Sequence, residues 1–103
     1  MLFKFFEKHV EVDRSDSEQK SKDRMELDYY LLESECDDAD VQGTEKNYGV
    51  EIIMKQDGFE DEHKQYRNIY SSKEKTKKLI ALLAEQTVTP SSLSYILDDL
   101  IGM

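Results

Sequence analysis

SSKEKTKKLIALLAEQTVTPSSLSYILDDLIGM, residues Ser71 to Met103, is the stretch from which the architecture can be built. Ser71 and Glu74 stand at capping-box spacing, and Thr76, Leu79, Ile80 and Leu83 follow at helical intervals. The pattern stops at Thr87 and Val88. Thr89 and Pro90 then read as the N-cap and first residue of a second helix. Its stripe is Leu93, Ile96, Leu97, Leu100 and Ile101. The two helices form a hairpin with one apolar face, and no residue in it carries evident chemistry.

The residues upstream alternate with period two. Met25 to Glu33 puts Met25, Leu27, Tyr29 and Leu31 on one face and Glu26, Asp28, Tyr30 and Leu32 on the other. Tyr48 to Met54 does the same, with Tyr48, Val50, Ile52 and Met54 set against Glu51 and Ile53. Asp57-Gly58 is a hairpin signal, and the return strand spans Glu62 to Tyr70. Near the N-terminus, Phe3 and Phe5, then Val10 and Val12, suit an edge strand, although Leu2, Phe5, Phe6 and His9 would also fit a helical turn. Asp13 to Asp23 contains no apolar residue and reads as a disordered linker, and Ser34 to Lys46 as an acidic loop containing Cys36.

The expected fold is therefore α+β. A three- or four-stranded antiparallel β-meander is followed by a C-terminal two-helix hairpin packed on one sheet face. The expected division is an N-terminal segment with polar linker over residues 1–23, partly disordered, and a single α+β domain over 24–103. Tyr30, Leu32, Ile53 and Ile69 make the second sheet face more apolar than a solvated face requires. The N-terminal phenylalanines or a second copy of the chain would cover it.

Composition narrows the function. A chain of 103 residues can bury roughly two-thirds of its unfolded surface, enough for one core. No window approaches the ~20 apolar residues of a membrane span, the opening residues are too short and too soon charged for a secretory leader, and Cys36 is alone. A cytoplasmic protein without a membrane association is expected. The net charge is −9, from 23 acidic and 14 basic residues. Eight acids and no base lie between Glu26 and Glu45, and six bases against one acid between His63 and Lys78. That segregation suits two solvated surfaces, or a docking surface of either sign.

Catalytic and metal constellations are weak. Glu60, Asp61, Glu62 and His63 are contiguous, so on a strand they point to alternate faces and cannot converge on one ion, even with His9 as a distant extra ligand. Cys36 lies among Glu33, Glu35, Asp37 and Asp38, which raise a thiol pKa and disfavour a nucleophile. No glycine-rich phosphate loop exists. The expectation is a non-enzyme without cofactor or metal. Lys73, Lys75, Lys77 and Lys78 crowd the N-terminal end of a helix, the unfavourable end for cations. With Lys64, Arg67, Tyr66 and Tyr70 they could contact nucleic acid, though the overall charge opposes it.

The segments Tyr29-Tyr30-Leu31-Leu32-Glu33 and Tyr48-Gly49-Val50-Glu51-Ile52, and Val88-Thr89-Pro90 before a short helix, resemble a family of small uncharacterised proteins from anaerobic Gram-positive bacteria. The resemblance covers residues 25–101. It implies a domain of unknown function and assigns no active site. The expected function is a small cytoplasmic protein-interaction or regulatory protein, binding another protein or itself as a homodimer. The candidate contact residues are Tyr30, Leu32, Ile53, Ile69, Lys64, Arg67, Lys73, Lys75, Lys77 and Lys78. Nucleic-acid binding through the Lys64–Lys78 stretch is the alternative, as is DNA mimicry by the acidic 26–45 stretch.

Overall fold

The computed structural model describes residues 2–13, 24–35, 46–56 and 58–101. Most of the expected linker at 13–23 and of the acidic loop at 34–46, including Cys36, and Asp57 lie outside the described residues, but Asp13, Ser34, Glu35 and Lys46 belong to strands and not to those loops. Four strands form an antiparallel sheet in sequence order: β1 (Leu2–Asp13), β2 (Arg24–Glu35), β3 (Lys46–Gln56) and β4 (Glu62–Tyr70). Two helices follow, α1 (Lys73–Glu85) and α2 (Leu93–Ile101), and α1 packs on the sheet. The α+β meander with a C-terminal helical pair is the architecture that the alternation required. β1 pairs with β2 over its whole length, so the sheet takes in residues ahead of the boundary expected at 24.

The core lies between one sheet face and the helices. Met25, Leu27, Tyr29 and Leu31 of β2 meet Tyr48, Val50 and Ile52 of β3 beneath Leu79, Ile80, Leu83 and Ala84 of α1 and Leu93 and Leu97 of α2. Removing each large side chain from water stabilises the fold by roughly 1.5–3 kcal/mol. The Tyr29 hydroxyl donates to the Val88 carbonyl at 2.9 Å, tying the central strand to the turn between the helices. Burial pushes the Tyr29 phenol up to about 12.

Helix termini differ in detail from the sequence reading. The α1 N-cap is Ser72, not Ser71, because β4 runs to Tyr70; Ser72 Oγ accepts from the Lys75 amide at 3.3 Å. Lys75 then occupies the position a capping-box glutamate would need. At the other end, Val88 N–H donates to Leu83 O at 3.0 Å and Thr87 N–H to Ala84 O at 3.1 Å, the two bonds of a Schellman motif. Its left-handed position is held by Thr87 (φ 50°) and not by glycine. Thr89 to Ser92 closes as a separate turn, with Ser92 N–H donating to Thr89 O at 3.2 Å, so α2 starts at Leu93 and Pro90 precedes it. Leu100, expected in the buried stripe, is 46% exposed; the Ile101 side chain lies outside the described residues.

Two irregularities break the period-two pattern. β1 shifts register between Phe6 and Lys8, leaving Glu7 as the extra residue. Between β3 and β4, Tyr48 faces Tyr70 and Val50 faces Tyr66, so Arg67, Asn68 and Ile69 stand opposite Gly49 alone. Asn68 takes a positive φ of 58°, and the bulged backbone folds over Gly49. A Cβ on Gly49 would lie 2.0 Å from Tyr66 O, so only glycine fits. Ile69, assigned by alternation to the second face, packs against the core cluster because the bulge re-aims it.

Candidate functional site

The face of the sheet opposite the helices is built from β1 and β2 upward. Residues directly opposed in an antiparallel pair share a face. Lys4 opposes Leu32, Phe6 opposes Tyr30, His9 opposes Asp28, and Glu11 opposes Glu26. Phe6 meets Tyr30 edge-on, with ring centroids 5.8 Å apart. Lys4 Nζ lies 4.4 Å from the Tyr30 ring centroid and 2.8 Å from Glu51 Oε1. Glu51 is on β3, so the Lys4 stem must cross β2 beside Leu32, which is 1% exposed. Glu51 is itself buried, and its Oε1 makes no aligned hydrogen bond; charge attraction to Lys4 is what compensates it.

This arrangement answers what covers the second face near the N-terminus. Phe6 and the stem of Lys4 cover Tyr30 and Leu32 from within the chain. Phe3 and Phe5 do not take part: they oppose Glu33 and Leu31 on the helix side, stacked at 6.5 Å, with Lys73 Nζ 5.6 Å from the Phe5 ring centroid. The Glu7 bulge separates these rings from Val10 and Val12, which pack against the core. Phe3, Phe5 and Phe6 remain 42%, 42% and 59% exposed along the edge of β1 that pairs with no strand among the described residues.

The lysine-rich stretch does not form one surface. Lys73 and Lys77 face β1, Lys77 Nζ standing 3.8 Å from Glu7. Lys75 and Lys78 rim a shallow apolar groove with Tyr70, Leu79, Leu82 and Leu100. Lys64 lies 5.9 Å from the Tyr66 ring centroid, beside the Pro90 turn, and Arg67 donates to Gln65 Oε1 at 3.1 Å. Ile53 is half-buried between Asp28 and His63 on the open face. The candidate contact residues thus divide among the open face, the core side and both flanks of α1.

Pairing of β1 with β2 also brings together residues that the sequence reading left apart. One donor atom each of His9, Glu11 and Glu26 lies within 4.8 Å of the others. His9 Nδ1 is 2.6 Å from Asp28 Oδ1, and His9 Nε2 is 3.6 Å from Glu11 Oε1. The hydrogen bond to Asp28 raises the His9 pKa above 6.5, desolvation opposes it, and Glu11 and Glu26 add to the rise. The signal in the sequence was the spacing His9-x-Glu11 and Glu26-x-Asp28, each pair on one face of a strand. That spacing does not say which pair opposes which.

No helix among the described residues is long and apolar enough to cross a membrane. No curated protein and no solved structure matches the chain. A family model does match, over residues 8–103, which includes the second half of β1, the irregularity opposite Gly49 and the helical pair. On that match the chain belongs to a family of unknown function (DUF6514).

Proposed function

We propose that this chain is a small, non-enzymatic, cytoplasmic protein-interaction or regulatory protein that docks a partner protein along the edge of β1. The observation that carries this reading is the exposure of Phe3, Phe5 and Phe6 on a strand with one edge free among the described residues. An unpaired edge offers backbone donors and acceptors to an incoming strand. Three aromatic rings beside it, two on the helix side and one on the open face, would be covered by that strand's side chains. Each ring is already about half-buried, so covering the remainder is worth roughly half of the 1.5–3 kcal/mol of a full burial. The lysines fall on two flanks of α1, so no single basic surface favours nucleic acid, and the net charge of −9 works against it.

Affinity capture from native lysate, with and without nuclease, tests the proposal. A protein that survives nuclease and is lost with Phe3→Ser/Phe6→Ser supports it. Capture that ignores those substitutions, or depends on nucleic acid, overturns it. Light scattering of the purified chain separates a second copy from a foreign partner.

A further inference from the structure

The open face carries a polar cluster that the docking edge does not need. We propose that His9, Glu11 and Glu26 bind a divalent transition-metal ion, zinc being the natural probe, with Asp28 orienting the imidazole. His9 and Glu11 are two apart on β1, and Glu26 and Asp28 are two apart on β2 directly across from them, so the four side chains occupy the corners of a rectangle on one face. Adjacent strands are roughly 5 Å apart, and residues two apart on a strand roughly 7 Å. Side chains of this length therefore converge above the sheet, and their donor atoms already lie within 4.8 Å of one another. Donors bound to zinc at ~2.0–2.2 Å stand roughly 3.5 Å apart, so closing on an ion asks for rotamer adjustments of about an ångström.

Asp28 gives the cluster its direction. Its carboxylate accepts from His9 Nδ1–H at 2.6 Å, which in the neutral imidazole leaves the Nε2 lone pair facing Glu11. A carboxylate holding the distal nitrogen of a histidine is the arrangement that orients metal-ligating imidazoles and raises their basicity. Glu11 and Glu26 are like charges directly opposed across two strands, an unfavourable pairing. One imidazole and two carboxylates suit zinc better than the all-oxygen shells of magnesium or calcium, and leave the remaining coordination to water.

Calorimetric titration of the full chain with zinc chloride near neutral pH is the test, with thermal unfolding as a second readout. Saturable binding of one equivalent is expected, with a raised melting temperature. His9→Ala and Glu26→Gln should each weaken it at least about tenfold, and Asp28→Asn, which removes only the orienting carboxylate, about 10–100-fold. Cys36→Ser and His63→Ala should leave it unchanged. All four residues of the cluster are on the sheet surface, and relief of the Glu11–Glu26 opposition should keep Glu26→Gln folded. No saturable binding, or binding indifferent to His9→Ala, overturns the assignment; so does loss with Cys36→Ser or His63→Ala, which would place the ion elsewhere.

Discussion

Replacing Tyr29 by phenylalanine deletes one oxygen atom at the centre of the molecule and tests how the helices are held to the sheet. Tyr29 is fully buried, and its hydroxyl donates to the Val88 carbonyl in the turn joining α1 to α2. The substitution keeps the ring and leaves a buried acceptor without that donor, at a cost of about 1–3 kcal/mol. For a domain of this size each kcal/mol lowers the melting temperature by roughly 4–8 °C. Alkaline pH supplies an independent arm. The phenol titrates near 10 in the unfolded chain and at about 12 in the fold. Between those values the unfolded state binds fewer protons, so stability is intact below the unfolded pKa and falls as pH rises through the folded one. The loss is about 1 kcal/mol near pH 11 and about 2–3 kcal/mol beyond 12. Tyr29→Phe lacks this titration, and the other tyrosines are common to both proteins. Urea denaturation of the pair should therefore show a gap that is full at neutral pH and narrows as pH climbs past about 10. A gap of zero at neutral pH would refute the buried hydrogen bond, and one that stays constant into the alkaline range would refute the burial of the phenol.

Three further substitutions probe the rest of the fold. Thr87→Gly removes a β-branched residue from a left-handed position and should stabilise the protein by about 0.5–1 kcal/mol, read by urea denaturation; a loss would mean the cap is not a Schellman motif. Gly49→Ala drives a Cβ to 2.0 Å from Tyr66 O and 2.8 Å from Arg67 Cα. Because backbone must give way, it should cost about 3 kcal/mol or more and strip amide-exchange protection from β4, whereas unchanged protection would rule out the bulge crossing. Lys4→Ala leaves the Glu51 carboxylate buried without its cation and should cost about 1–3 kcal/mol, discounted for the partial exposure of the lysine. The double variant Lys4→Ala/Glu51→Leu should recover much of that loss, and additive losses would deny the coupling.

Local pattern was a good guide wherever one physical rule acted alone. Alternation at Met25–Glu33 and Tyr48–Met54 identified β2 and β3, because a strand half-buried under helices must place apolar residues every second position. The 3.6-residue recurrence of Leu79, Ile80 and Leu83 did the same for α1. Where two rules competed, local reading slipped. Ser71 and Ser72 are both acceptable caps, and the length of β4 settled the choice in favour of Ser72. Ile69 has the parity of the open face, yet the bulge opposite Gly49 packs it against the core. The lysines of α1 form one run in sequence, but their angular spacing on a helix divides them between the β1 side and the Tyr70 groove.

Taken alone, the amino-acid order establishes the element types, their succession and the α+β class, since these follow from side-chain period and chain punctuation within a few residues. Strand register is a different quantity. It joins segments separated by connecting chain, and alternation leaves every even shift equally acceptable. Packing chose one register for β1 against β2, and that choice set Glu11 beside Glu26, His9 beside Asp28 and Lys4 within reach of Glu51. The single extra residue at Glu7 then placed Phe5 and Val10 on the same sheet face although their sequence parity differs. The exposed aromatic edge of β1 and the polar cluster on the open face both arise from long-range pairing, which no local run of residues encodes.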